Sequence, residues 1–190
     1  MYAYGTAEYS AGYAKLLVAR KKTESDPYVF LSPEWCSAYE AAIQRDARYK
    51  QVARNWEGSV VLVFQADPVA GHVTAKYIFL DLWHGECKSL QLVPEEYGRT
   101  GEFVLEAAYQ RWEQIVMGEL NVVRELATRQ LKLTPFDFKK AVKLAAASQA
   151  AIRLVELAGS VGARYPSQMQ SSERELFGQL MKLLRSDYGI

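Results

Sequence analysis

The chain has 190 residues, 49% of them hydrophobic, which is ample for a buried core and far from a disordered composition. It carries 23 basic against 22 acidic side chains, and Arg20-Lys21-Lys22 is its only dense basic run. That balance excludes the basic excess or stripe of a nucleic-acid binder.

Residues 1–31 contain several tyrosines, and Ala7 to Leu17 reads as a short helix of poor periodicity. Ser32-Pro33-Glu34 is a helix start: a capping hydroxyl, a proline suited to the first turn and an acid at the positive end of the dipole. Trp35, Tyr39, Ala42, Ile43 and Ala47 then recur at helical spacing, which predicts a helix over 33–53. After Gly58 the pattern turns β-like. Val60 to Phe64 is apolar on both faces, as in a strand covered on both sides. Asp67-Pro68 and Gly71 mark a turn, Tyr77 to Trp83 a second strand, His84-Gly85 a two-residue hairpin and Cys87 to Val93 a third strand. Local pairing of these strands predicts an antiparallel meander.

Phe103 to Ala108 reads as a fourth strand, Tyr109 to Met117 as a short helix ended by Gly118, and 121–128 as another helix. Leu131-Lys132-Leu133 alternates as a last strand, and Pro135 ends it. A long helix is expected from Asp137 to Ala158, stopped by Gly159 and Gly162. A linker is expected over 163–171, then a terminal helix over 173–186. Ser172-Glu173-Arg174-Glu175 has the form of a capping box, and Leu176, Leu180, Leu183 and Leu184 make a narrow apolar stripe. This order is α+β, not the alternating βαβ of a nucleotide-binding sheet.

Chemistry is sparse. There is no GxGxxG, GxxxxGK[ST], HExxH or GxSxG, and no clustered Cys/His spacing, so no metal or cofactor is expected. Cys36 and Cys87 lie far apart without a CxxC pair and read as reduced thiols. His72 and His84 both fall at expected turns and read as solvated. Asp81, Glu86, Glu95 and Glu96 are the carboxylates an enzyme could use, but nothing fixes their mutual geometry, and they read as a polar edge of the meander. No stretch has the form of a secretory signal, no run approaches the ~18 apolar residues of a membrane span, and residues 186–190 are no peroxisomal address. A cytoplasmic location is the expectation.

The segment from Phe103 to Leu120, FVLEAAYQRWEQIVMGEL, resembles the sterol carrier protein type 2 family: an alternating strand, a helix bearing Trp112 and Ile115, then Gly118-Glu119-Leu120. A lysine-bearing strand, Gln130-Leu131-Lys132-Leu133, and a final helix from Phe138 to Leu157 continue the pattern. Upstream, 58–64 and the hairpin around Gly85 stand where the family has its first strands, so the resemblance covers about 33–158. One departure is Thr134-Pro135-Phe136-Asp137, where the family has a Gly-Asp-type turn. The resemblance implies about five strands packed against helices with an apolar tunnel between them, which holds a lipid, fatty acyl or sterol-like molecule without transforming it. It also implies a division into an N-terminal extension (1–31), a sterol-carrier-like domain (32–159) and a linker with an amphipathic helix (160–190).

The ligand contacts this implies are Phe103, Leu105, Trp112, Ile115, Val116 and Leu120, followed by Leu126, Leu131, Leu133, Phe138, Val142 and Ala145. Each of these also reads as ordinary core. Small side chains at Ala145-Ala146-Ala147 can leave space or simply permit close packing. The expected partner is a hydrophobic small molecule, with no nucleic acid and no membrane span. The alternative is a noncatalytic accessory or dimerising subunit, with a homodimer or an enzyme as partner. Docking as an extra layer is the expected role of the terminal helix, with a lid over the cavity or a dimer contact as alternatives.

Overall fold

The computed structural model describes residues 1–190. Runs of β-branched and aromatic residues form β1 (Val60–Phe64), β2 (Lys76–Trp83), β3 (Glu86–Val93), β4 (Phe103–Ala107) and the short β5 (Lys132–Leu133). Their spatial order is β3-β2-β1-β4-β5. β1 is central, hydrogen-bonded on both sides, and buried on both faces, with Val61 and Val63 at 0% and 1% exposure on one face and Val60 and Phe64 at 6% and 2% on the other. The hairpin forms as expected. His84 and Gly85 take φ of 49° and 80°, as two-residue turns require, and a Cβ on Gly85 would collide with the Lys50 backbone.

The sheet is not a pure meander. β4 pairs with β1 in parallel, while the other three pairs are antiparallel. After β3 at one edge, the chain crosses by way of α4 (Glu95–Gly98) to the free side of β1. A strand reached by such a crossover can enter in either direction, and nothing in its own residues encodes which.

Of the remaining helices, α1 (Ala7–Thr23) is longer than expected, with Thr6 accepting the Tyr9 amide. The helix expected over 33–53 is two, α2 (Pro33–Arg45) and α3 (Ala47–Val52). Asp46 divides them: its carboxylate accepts the Tyr49 amide at 2.6 Å and so starts a new helix. Next come α5 (Tyr109–Val116) and α6 (Val122–Ala127), the latter capped by Asn121. The expected long helix is also two, α7 (Phe138–Ala146) and α8 (Ser148–Val161), bent by 68° at Ala147. Neither proline nor glycine marks the bend. The two halves answer to different anchors: Lys140 and Lys143 hold α7 to the backbone of Glu102 and Glu57, whereas Tyr39 and Asp46 hold α8 to α2 and the α2–α3 break. Gly159 does not stop α8. A Cβ there would meet the Val116 carbonyl oxygen at 2.8 Å, so it permits close passage of α8 over α5, and Gly162 at φ 73° ends the helix.

The expected linker over 163–171 is packed: Arg164 bridges to Val29, Pro166–Gln168 is a 3-10 turn, and Tyr165 and Met169 are buried. α9 (Ser171–Tyr188) begins earlier than expected, because Glu173 closes a capping box with Gln170 instead of standing second behind Ser172. Of the expected leucine stripe, Leu180 and Leu184 are buried, whereas Leu176 and Leu183 are 67% and 40% exposed. α9 docks on the body: Phe177 lies against His72, Tyr188 lies edge-on to Tyr9 and Tyr13 of α1, and Lys76 Nζ donates to the Ile190 carbonyl at 3.0 Å.

One apolar cluster runs from Tyr9 to Ile190 on the helix-bearing face of the sheet, and a smaller one around Val61, Tyr77 and Val104 lies on the reverse face. No single helix is long and apolar enough to cross a membrane. His84 is exposed as expected, but His72 is 1% exposed between Tyr109 and Phe177, and neither ring nitrogen has a protein partner. Burial, helped by the positive charge of Lys76, pushes the His72 imidazolium down to about 3.

A histidine that the fold keeps neutral contributes stability above its unfolded value of 6.5, and that stability drains away as pH falls toward 3. The protein is therefore expected to be about 2 kcal/mol less stable at pH ~5 than at pH ~7.5 through His72 alone. In His72→Phe that share of the loss disappears. Urea titrations at both pH values check this, and an unchanged difference in the variant contradicts it. At the α2–α3 break, Asp46→Ala removes a cap and an ion pair and is expected to cost about 1–2 kcal/mol. The Arg153 guanidinium and the Tyr49 amide hold the Asp46 carboxyl down to about 2, so its contribution is present above the unfolded 3.8 and lost as pH falls through 2.

Candidate functional site

The helix-bearing face presents alternate strand residues, Val60 and Leu62 of β1, Leu80 and Leu82 of β2, and Leu105 of β4. α8 spans this face without collapsing onto it. Tyr39 Oη of α2 donates to the Leu154 carbonyl at 3.0 Å, and Arg153 grips Asp46 at 2.6 and 2.9 Å. Beneath α8 lies a narrow chamber of about 70 Å³ whose sixteen lining residues are all hydrophobic. Trp112 lines it while its indole N–H donates to the Val63 carbonyl at 2.9 Å, so the ring presents only apolar surface.

The chamber meets a larger cavity at Leu144, which lines both. This outer cavity, about 520 Å³, lies between α6, β5 and α7, within the size range of ligand sites. Val123, Leu126, Leu131, Leu133, Ala141 and Ala145 form its apolar wall, and Arg129, Lys132, Thr134 and Ser148 its polar rim. The Thr134-Pro135-Phe136 turn, where the sequence departs from the family pattern, forms part of this rim through Thr134 and Phe136. At the other end, Val122 and Val155 are shared with an open groove of about 750 Å³ between α8 and the α5–α6 turn. The arrangement is a mouth, a throat and a groove in sequence. As it stands, the throat has space on the order of two water molecules, so a ligand reaching it must part the side chains around Leu144.

The expected contact residues divide among these spaces. Leu126, Leu131, Leu133 and Ala145 line the outer cavity, Leu105 and Trp112 the chamber, and Ile115, Val116 and Leu120 the groove. Phe103 is fully buried beside them, packed on Trp56 at 4.7 Å with Lys140 and Lys143 above its ring. Phe138 and Val142 line none of the three, and are 73% and 53% exposed. They lie on an outer stripe of α7, whereas the residues facing the cavity are Ala141, Leu144, Ala145 and Ser148. Sequence reasoning missed the β2 and α8 walls. The alternation of Ile78, Leu80 and Leu82 and the spacing of Ala151, Leu154 and Val155 carry that signal once the sheet face is known.

Nothing in the chamber or cavity is arranged for acid–base work. Asp81, Glu86, Glu95 and Glu96 line none of the three spaces. Glu95 is paired with Arg99 at 2.7 Å, and with help from the Tyr77 hydroxyl that guanidinium holds its carboxyl below the usual range. No three His, Cys, Asp or Glu side chains are grouped to hold a metal ion. Both cysteines are free and buried, and burial pushes their thiols up, Cys87 to about 12, which suits inert packing.

The chain is similar to a crystal structure of sterol carrier protein 2, at 31% identity and a TM-score of 0.63, covering 70% of this chain and 99% of that one. A solution structure of a conserved hypothetical protein from Thermus thermophilus, described as possibly a sterol carrier protein, matches at 31% identity and a TM-score of 0.63, covering 76% of this chain and 97% of its own. No family model and no curated protein matches.

Leu144 separates cavity from chamber, so Leu144→Ala is expected to merge them at a cost of about 2–3 kcal/mol. Chemical denaturation measures the cost. A loss below about 1 kcal/mol would show that this side chain does not pack the divide.

Proposed function

The chain belongs to the sterol carrier protein 2 family, and on that premise we propose that it binds a hydrophobic small molecule in the cavity between α6, β5 and α7 and carries it unchanged. The observation that carries this reading is the adjacent pair of spaces, an outer cavity of about 520 Å³ divided by Leu144 from a chamber lined by hydrophobic residues alone. Apolar walls supply the driving force, about 25 cal/mol for each Å² of ligand surface removed from water. Arg129, Lys132, Thr134 and Ser148 give the mouth a polar end, which suits an amphiphile held with its tail inward. Neither space is lined by a carboxylate, histidine or cysteine, which supports carriage over catalysis.

A second reading is favoured by one observation. Leu176 and Leu183, one heptad apart on the outer side of α9, are 67% and 40% exposed. Such a strip suits an accessory or dimerising subunit. Sedimentation across a range of concentrations distinguishes the two: self-association lost in Leu176→Ser/Leu183→Ser supports this second reading, and a monomer throughout removes it.

For the carrier reading, titration with a fluorescent fatty-acid probe is expected to show saturable binding. Ala145→Trp, which projects a large ring from the exposed end of α7 into the outer cavity, is expected to weaken it at least tenfold, as an occluded site should. Equal binding by the variant would place the probe elsewhere.

A further inference from the structure

Another cavity, of about 520 Å³, lies between α1, α2 and the edge strand β3. It shares no lining residue with the outer cavity, the chamber or the groove. α2 presents Tyr39 to the chamber and, on a different face, Cys36, Ser37 and Glu40 to this space. Tyr4, Tyr9, Tyr13 and Tyr97 also line it, the Tyr4 ring centroid standing 4.4 Å from that of Tyr97 and 4.9 Å from that of Tyr9. Gln91 of β3 donates to the Tyr4 hydroxyl at 2.9 Å and so fixes that ring in the wall. The Tyr9 and Tyr13 hydroxyls are buried and have no hydrogen-bond partner. Burial pushes both well above the usual phenol range, so both stay protonated. Glu40 is the one charged side chain in the lining, and it is half-buried. Gln44 donates to it at 3.3 Å, but it has no ion pair. Burial raises its carboxyl above the usual range, opposed by the Leu90 amide and by Lys21, whose ammonium is engaged with Ser37 at 2.8 Å.

These walls discriminate among ligand classes. An anion would meet the Glu40 carboxylate and find no basic side chain in the lining. A plain hydrocarbon would leave the carboxylate and the phenol oxygens without partners, which is costly for buried polar groups. An organic cation suits both kinds of wall. Its N–H groups donate to carboxylate and hydroxyl oxygens, while its charge and carbon body lie against the ring faces. We propose that this cavity is a second binding site, which takes a small amine with an apolar body, the ammonium on Glu40 and the body among the four tyrosines. Residues 1–31, outside the family resemblance, supply three of those rings. Arg20 ties α1 to the buried Glu34 at 2.7 Å and so holds Tyr9 and Tyr13 opposite the Glu40 face of α2.

Isothermal titration calorimetry of the full chain tests it, with phenethylamine as the probe and 3-phenylpropionate, of similar body and opposite charge, as its counterpart. Phenethylamine is expected to bind saturably at one site, and 3-phenylpropionate at least about tenfold more weakly. Glu40→Gln keeps the shape of the wall and should weaken the amine about tenfold, as the loss of a charge-assisted hydrogen bond does. Ala14→Trp, at an exposed position of α1 on this cavity, should abolish binding by filling it. Neither residue lines the outer cavity or the chamber, so binding of the fluorescent fatty-acid probe should be unchanged in both variants. The amine result therefore stands or falls apart from the carrier reading. No saturable heat, equal affinity for the acid, or full amine affinity in either variant would overturn the proposal.

Discussion

The position of α8 is the constraint on which the rest of the site depends. Two polar contacts, Tyr39 Oη on the Leu154 carbonyl and Arg153 on Asp46, hold the helix above the sheet. A third, the Trp35 indole N–H donating to the Gly162 carbonyl at 3.1 Å, fixes its end. Directional bonds of this kind resist compression, and small residues facing the sheet, Ala147, Ala150 and Ala151, do not fill the space beneath. The chamber is thus a consequence of where α8 is tied. The same ties explain the bend at Ala147, since α7 follows different anchors on the β4 side.

The molecule divides into a stiff part and a looser one. β1 is paired on both sides and buried on both faces, and the appended ends reinforce the body, α1 and α9 meeting through Tyr9, Tyr13 and Tyr188 while Arg20 reaches the buried Glu34 at 2.7 Å. In contrast, α7 touches the core through one leucine and otherwise through lysines that bond to backbone carbonyls. Local opening concentrates where buried apolar contact is least, and here that place is the wall of the outer cavity. The narrow throat at Leu144 and the weakly held α7 beside it are complementary, because widening the first requires movement of the second.

Much of this was legible in the sequence, and what was not has a common cause. The strands 60–64 and 77–83, the His84-Gly85 turn, the helix start at Ser32 and the apolar run from Phe103 to Val116 all follow from local pattern, and local pattern settles them. The parallel entry of β4, the break at Asp46 and the burial of His72 under Phe177 depend on partners far along the chain. Within the site, Leu105, Trp112 and Leu126 could be named because the family resemblance implies a cavity there, whereas strand alternation and helical spacing mark them only as inward-facing core. Phe138 and Val142 were displaced by one helical stripe. Their hydrophobicity signals burial, and only the orientation of α7 shows that Ala141 and Leu144 face the cavity instead.

The central claim, that the cavity and the chamber behind Leu144 hold an apolar molecule, is met most directly by native mass spectrometry of the protein as purified, followed by solvent extraction of whatever it releases. The account predicts a mass above that of the chain, removed by extraction and traced to an acyl, sterol-like or other apolar compound. A bare chain that also fails to take up a fluorescent fatty-acid probe would contradict it.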